Sequence, residues 1–398
     1  MRAAALLSAL LGISLGAAAQ ADELPASVAV SFDRRDIQLV LAEGDADRTT
    51  RRPAGIDDPV RIASISKLVT SLGVMRLVDA GKLELDRDVS DDLGWSLRNP
   101  AFPDSVITLR LLLSHQSSLT DGADYIVPLG ETLRHRLADP RAWDNNHAPG
   151  SGWFAYTNLN FPVIAGVMER AGGERFDNLI QNQVLKPLKL DACFNWSGCS
   201  AKAVRRAVVL YRASGEVARD DLRGNKPPCL VVPAADGSCN LAAYIPGENG
   251  ALFSPHGGLR ISMRGLAKIG QLLGRSGKGF LKPASYSELV GVQWRFNGHN
   301  GIGEDGAASG FFCVYGLATQ RIGTRGPNCR DDLFDDGVIR IGHSGEAYGL
   351  RSGLWFDPVS GKGLAFFTSA VSDGEPRGRS GFTEREECLV ARAVCCPH

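Results

Sequence analysis

Three short patterns carry the residues that could do chemistry. They are Ser64-Ile65-Ser66-Lys67, Tyr156-Thr157-Asn158 and His343-Ser344-Gly345, and each of the patterns S-x-x-K, Y-x-N and H/K-S/T-G occurs once, in that order. Together they supply a hydroxyl nucleophile, two candidate bases and a possible cation. A serine hydroxyl is a poor nucleophile at neutral pH and needs a base within hydrogen-bond reach. Residues three apart on a helix share a face, so Ser64 and Lys67 at a helix start would place an amine or ammonium beside the hydroxyl. This is equipment for acyl transfer without a Ser-His-Asp triad.

The element that must position this pair is a helix beginning at Ser64. Leu68, Val69, Leu72, Met75, Leu77 and Val78 make the following segment apolar over most of its circumference, which predicts a buried helix. Gly81 is a suitable C-terminal stop. The helix N-terminus adds unpaired N–H groups and a partial positive charge. The backbone N–H of Ser64 could then help hold a developing oxyanion. A lysine in the first turn of a buried helix demands partners, because a buried charge is costly unless paired.

The surroundings of the three patterns extend the picture. Val60-Arg61-Ile62-Ala63 leads into Ser64, and Leu83-Glu84-Leu85-Asp86 with Val89 follows the helix. Ile107 to His115 reads ITLRLLLSH, and Pro149-Gly150 precedes Phe154-Ala155-Tyr156. Further on come Gly257-Gly258-Leu259-Arg260-Ile261-Ser262, then Gly342 before His343, and Trp355-Phe356-Asp357-Pro358. In these stretches the chain resembles the serine hydrolases built on the class C β-lactamase and D-alanyl-D-alanine peptidase fold, the group of penicillin-binding proteins and β-lactamase-related carboxylesterases. The resemblance spans most of the chain beyond its first residues.

The resemblance implies an α/β fold of the β-lactamase/transpeptidase type, an antiparallel sheet flanked by helices with an inserted, mostly helical region. It also implies roles. Ser64 would attack a carbonyl and form an acyl-enzyme, with Lys67 and Tyr156 sharing the general acid/base work. A tyrosine stays protonated until about pH 10, so Tyr156 is a base only if cations such as Lys67 and a protonated His343 lower its pKa. Otherwise a neutral Lys67 is the base and Tyr156 a relay. Asn158 would orient Lys67 or the substrate, His343, Ser344 and Gly345 would line the substrate site, and the backbone N–H groups of Ser64 and Glu346 would form the oxyanion hole.

The chain departs from the family pattern in two places. Ser114-His115-Gln116-Ser117-Ser118-Leu119 has serine where the family often has the glycine of S-H-T-S-G-L. His343 stands where class C β-lactamases carry lysine, and histidine there is more typical of peptidase and esterase members. The expected reaction is therefore hydrolysis of an ester, amide or D-amino-acid peptide, with a β-lactamase as the alternative. A penicillin-binding or sensor protein with little turnover is the alternative of another class. If His343 acts as a cation, activity should fall as it loses its proton near pH 6–7.

A second serine-hydrolase pattern is present and excluded. Gly12-Ile13-Ser14-Leu15-Gly16 fits G-x-S-x-G but lies in the N-terminal apolar segment. Gly342-His343-Ser344-Gly345 resembles part of a nucleophile elbow, and His256-Gly257-Gly258 resembles a lipase oxyanion loop. Position 346 is Glu, however, and the one histidine after Ser344 is the terminal His398. Too little chain follows for the remaining strand-helix units.

Composition agrees with an exported globular enzyme. The chain has 398 residues, 44% of them hydrophobic, and zero formal net charge. It has no long run of one sign, so neither nucleic acid nor an anionic membrane surface is an expected partner. The expected partner is a small-molecule, peptide or ester substrate. Arg2, the small apolar residues from Ala3 to Ala18 and Ala19-Gln20-Ala21 read as a signal peptide over 1–21. Residues 22–398 are then one catalytic domain, periplasmic or secreted, with no later membrane span. Nine cysteines suit that compartment. Proximity suggests Cys193–Cys199, Cys229–Cys239 and Cys313–Cys329, with Cys388 joined to Cys395 or Cys396. Without a C-x-x-C pair, and with scattered histidines, no metal or other cofactor is expected.

The coarse pattern places strands at 27–32 and 37–41, then the Ser64 helix. A mostly helical part follows over about 87–285, with Gly- and Pro-rich loops at 222–258. Strands are expected at 310–320, 338–342, 351–357 and 363–369, and a closing helix at 385–394. The α/β part would thus combine about 22–86 with 286–398, and the site would lie where it meets the helical part.

Overall fold

The computed structural model describes residues 24–218, 223–302, 310–326 and 328–395, with the backbone alone at 395. The predicted signal peptide over 1–21 lies outside the described residues. The chain opens with antiparallel strands β1 (Ser27–Phe32) and β2 (Ile37–Glu43) and a ribbon of β3 (Asp45–Asp47) and β4 (Arg52–Pro53). β5 (Val60–Arg61) runs into α1 (Ile65–Asp79). Then come α2 (Val89–Leu93), α3 (Leu109–Leu113), α4 (Leu133–Arg136), β6 (Phe154–Ala155), α5 (Asn160–Gly172) and α6 (Phe176–Ile180). They are followed by β7 (Cys193–Phe194), α7 (Ala201–Arg206), β8 (Leu259–Ile261), α8 (Met263–Gly274) and α9 (Pro283–Val290). The last part supplies β9 (Trp294–Arg295), β10 (Gly301–Ile302), β11 (Val314–Tyr315), β12 (Gln320–Ile322), β13 (Arg340–Ala347), β14 (Leu350–Phe356), β15 (Gly363–Thr368) and α10 (Glu384–Cys395).

Eight strands form the main sheet in the order β2-β1-β15-β14-β13-β12-β11-β9. Every neighbouring pair is antiparallel. The N-terminal strands β2 and β1 therefore join the C-terminal strands in one sheet, with β1 beside β15, as the resemblance implies. Side-chain alternation explains why both faces are covered. Val28, Val30 and Phe32 of β1, with Ala365 and Phe367 of β15, join the large core that includes α1 and α8. Ala29, Trp355, Leu364 and Phe366 point the other way and pack with Leu389, Val390 and Ala393 of α10. β1, β14 and β15 are hence buried almost throughout, and mostly apolar apart from Ser27, Ser31, Arg351, Ser352 and Thr368.

α8 packs against β1, β14 and β15 through Leu266, Ala267, Ile269 and Leu273. It falls inside the span expected to be the helical part, yet it serves the main sheet. Most of the elements within 87–285 are helices. Apart from α5 and α8, the elements there are short, and a three-stranded sheet, β5-β8-β7, forms across it. The single strand expected at 310–320 is two, β11 and β12, folded back at Gly316–Thr319. The strand expected at 338–342 continues through His343-Ser344-Gly345 to Ala347.

Three disulfides, Cys193–Cys199, Cys229–Cys239 and Cys313–Cys329, match the expected local pairs. Cys388 is exposed and free. The side chains of its expected partners, Cys395 and Cys396, lie outside the described residues. Among the described residues, no helix is long and apolar enough to cross a membrane. No group of His, Cys, Asp or Glu among them could hold a metal ion.

Candidate active site

Ser64 stands at the junction between β5 and α1 as the N-cap residue, with φ −64°. The residue before it, Ala63, has φ +48°. That left-handed backbone strains a residue with a Cβ and turns the chain sharply from strand to helix. The junction is held from two sides. Ile62 N–H donates to Leu259 O of β8 at 3.0 Å, and Ile62 O accepts from Ser352 Oγ of β14 at 3.0 Å. Ser66 Oγ accepts from Leu259 N–H at 3.0 Å. α1 is buried along nearly its whole length, and Gly81, at φ +67°, closes it by donating to Val78 O.

Lys67 is wholly buried. Its ammonium donates to Ser64 Oγ at 3.0 Å, Asn158 Oδ1 at 2.7 Å and the carbonyl of His256 at 3.2 Å. It also lies 4.8 Å from the ring centre of Tyr156 and 5.4 Å from that of Phe161. Three oxygen acceptors and two π faces thus replace water around the charge. None of these three oxygens is a carboxylate.

Tyr156, Thr157 and Asn158 lie between β6 and α5. The Tyr156 ring stacks on Phe312 with centroids 4.7 Å apart and packs on His115 at 4.5 Å. Two anchors fix the backbone. Thr157 N–H donates to His115 Nδ1 at 3.1 Å. Asp121 accepts from Thr157 Oγ1 at 2.5 Å, Leu159 N–H at 2.9 Å, Asn158 N–H at 2.9 Å and Asn158 Nδ2 at 2.9 Å. His115 is buried, and its Nε2 has no hydrogen-bond partner. Burial, with the charge of Lys67 second, holds its pKa well below the usual histidine range. The turn after it survives the missing family glycine because Ser118 itself takes φ +63°.

The third motif lies on β13 where pairing with β12 ends. β12 pairs with Arg340, Ile341 and Gly342, so the β12-side edge of His343 to Ala347 is free of that strand. The far side stays paired to β14 through Ala347. Ser344 Oγ donates to Gln320 Oε1 at 3.3 Å. A Cβ on Gly345 would meet Ile62 O at 2.3 Å and Ser352 Oγ at 2.5 Å. Glycine is what lets β13 approach the chain segment that carries Ser64. The side chain of Glu346 pairs with Arg351 across the hairpin.

His343 corrects an expectation. Its side chain is fully buried, Nε2 accepts from Tyr315 OH at 2.8 Å, and Nδ1 donates to Ser344 O at 2.5 Å. Burial, reinforced by the nearby charge of Lys67, lowers its pKa to about 3, against a smaller opposing effect from Ser344 O. His343 is therefore neutral through the physiological range. It is not the cation that the H/K-S/T-G pattern suggested. Its ring is 6.2 Å from that of Tyr156, where a second positive charge would repel Lys67.

The structure thus brings Ser64, Lys67, Tyr156 and Asn158 together and sets β13, with His343, Ser344, Gly345 and Glu346, against the nucleophile's backbone. Sequence reasoning missed Asp121, Tyr315 and the anchoring role of His115. Asp121 is 37 residues from Asn158, and no local spacing links the two. His115 was visible only as part of a helix-end pattern.

A family model described as Beta-lactamase matches residues 17–385. Esterase EstB of Burkholderia gladioli is 28% identical over 340 residues, covering 77% of this chain and 83% of that protein. D-alanyl-D-alanine-carboxypeptidase/endopeptidase AmpH of Escherichia coli is 32% identical over 141 residues, covering 33% of this chain and 36% of that one. The D-amino acid amidase of Ochrobactrum anthropi superposes with a TM-score of 0.62 at 18% identity, covering 94% of each chain. The octameric penicillin-binding protein homologue of Pyrococcus abyssi gives 0.65 at 19% identity, over 94% of this chain and 73% of that one. The two superpositions speak to the fold alone.

Proposed function

The chain belongs to the Beta-lactamase family of serine hydrolases, and from that premise we propose that it is an exported hydrolase acting on esters or amides through an acyl-enzyme on Ser64. The observation that carries this reading is Lys67 Nζ, buried and 3.0 Å from Ser64 Oγ. Ser64 Oγ attacks the carbonyl carbon while its proton passes to the base of the Lys67–Tyr156 pair, which is either Lys67 as the free amine or Tyr156 as the tyrosinate. The backbone N–H groups of Ser64 and Glu346 receive the oxyanion. Collapse of the tetrahedral species breaks the bond to the alcohol or amine, which leaves with the proton. Water, deprotonated by the same pair, then releases the acid and restores Ser64.

Within this class the favoured substrates are uncharged acyl donors such as esters, with D-amino-acid amides or peptides next and β-lactams last. His343 is locked neutral beneath the site, so it offers no charge to a substrate carboxylate. Similarity to an esterase over 77% of the chain supports the same order. Export is supported by the three disulfides and by the signal-like residues 1–21.

The test mixes the protein with a p-nitrophenyl ester and, separately, with a penicillin, following nitrophenol release and intact mass. Rapid ester turnover, with at most a transient adduct on Ser64, is expected. A penicillin adduct that persists, with no ester turnover, would instead favour the penicillin-binding reading. Normal ester turnover by Ser64→Ala would reject the nucleophile.

A further inference from the structure

We infer that Asp121 is a positioning residue for the reaction, which it serves by fixing the side-chain amide of Asn158 so that its oxygen faces Lys67. The inference rests on the reading of Ser64 and Lys67 given above. Asp121 comes from the loop after α3, and Asn158 from the segment before α5. One carboxylate oxygen takes Thr157 Oγ1 and Leu159 N–H, and the other takes both N–H donors of Asn158, backbone and side chain.

The last of these four bonds separates this role from simple loop stapling. An amide is asymmetric, with an acceptor on one side and two donors on the other. Asn158 Nδ2 sits 2.9 Å from Asp121 Oδ2, and Asn158 Oδ1 sits 2.7 Å from Lys67 Nζ. The flipped amide would set its oxygen against the carboxylate and its N–H groups against the ammonium. Both contacts would then be repulsive. The charge of Asp121 therefore decides which end of Asn158 meets Lys67. Lys67 loses the oxygen acceptor of Asn158 if that end is wrong, and its nitrogen then drifts from Ser64 Oγ. A misplacement of about 1 Å at a reacting group can cost on the order of a hundredfold in rate.

Asp121 itself is exposed and touches no reacting atom, so its effect must pass through Asn158. That route gives a distinctive signature, because residues acting in series are non-additive.

The experiment measures the rate at which a fluorophosphonate labels Ser64, by intact mass, in the full chain. The panel is wild type, Asp121→Asn, Asn158→Ala, the double variant, Thr157→Val and Ser64→Ala. Asp121→Asn should slow labelling tenfold or more. It should cost less than twofold further in the Asn158→Ala background. Thr157→Val, which removes a loop bond but leaves the amide pinned, should stay within threefold of wild type. Multiplying effects in the double variant would overturn the inference. So would an Asp121→Asn rate within twofold of wild type, or a Thr157→Val loss as large as that of Asp121→Asn. If Asp121→Asn is unfolded by circular dichroism, the exchange Asp121→Asn with Asn158→Asp decides. It keeps one donor and one acceptor between the two residues, and should label at least tenfold faster than Asn158→Asp alone. No such recovery would overturn the inference. Labelling of Ser64→Ala would instead sink the nucleophile assignment, leaving the two failures distinct.

Discussion

Gly345 and Ile62 touch through backbone alone. The carbonyl oxygen of Ile62 lies 2.3 Å from where a Cβ on residue 345 would stand. β13 and the segment that delivers Ser64 are thus as close as two chains can come. The Ser352 hydroxyl bridges the carbonyls of Ile62 and Gly345, at 3.0 and 3.4 Å.

Gly345→Ala should therefore push β13 away from Ser64. The methyl group would meet one backbone oxygen, that of Ile62, and the short hydroxyl of Ser352, which is tied by hydrogen bonds to the carbonyls of Ile62 and Gly345. The expected result is a folded protein destabilised by about 1–3 kcal/mol with a much lower kcat. Chemical denaturation and nitrophenol release measure the two. Activity close to wild type would show that β13 does not need this contact.

Lys67 is wholly buried, with its nitrogen 3.0 Å from Ser64 Oγ. Lys67→Met keeps the length and apolar stem but removes the amine, and should lower kcat/KM by roughly 10²–10⁴. Lys67→Arg should fare no better. Five donors in a rigid fork do not fit three acceptors arranged for an ammonium in a fully buried space. A Lys67→Met rate within tenfold of wild type would remove it from the base assembly.

The pH profile of turnover should carry no limb from His343 between pH 5 and 8, since its pKa lies near 3. His343→Asn should lower activity by disturbing Tyr315 and β13 while leaving the positions of any limbs unchanged. A limb at pH 6–7 that vanishes in this variant would restore the protonated histidine that the motif suggested.

Buried histidines and buried carboxyls give stability opposing pH dependences below about pH 6.5. His115 and His343 are buried, and both have pKa values below the unfolded value of about 6.5. Below that pH the unfolded chain binds protons that the folded chain refuses, so each group removes stability as pH falls. Glu169 works in the opposite direction. It is buried beneath Gly247 N–H, Phe176 N–H and Tyr244 OH, and burial raises its pKa to about 7. Its contribution is complete below pH 4.5 and is lost as pH rises towards 7. Each group acts at up to about 1.4 kcal/mol per pH unit within its window. His256, held low by burial, adds to the imidazoles, and Asp331 and Glu386, raised by burial, add to Glu169. Between pH 4.5 and 6.5 the melting temperature should therefore change more positively with rising pH in Glu169→Gln than in wild type. Parallel pH dependences of the two would contradict the assignment of Glu169.

What could be read from sequence was what is written locally. The S-x-x-K spacing and the apolar run after it fixed a buried helix with Ser64 at its tip, because helical geometry alone puts residues 64 and 67 together. Apolar strand segments marked the main sheet, and short separations suggested the three disulfides. The tertiary structure decided the rest. A histidine on a strand reads as a cation until burial and the charge of Lys67 lower its pKa, and Lys67 lies far away in sequence. α8 reads as part of a helical insertion until its apolar face is seen packed on β1 and β15. Asp121 reads as one more loop carboxylate until the fold sets it against Asn158. These features depend on desolvation and on contacts between distant segments, and those exist only once the chain has folded.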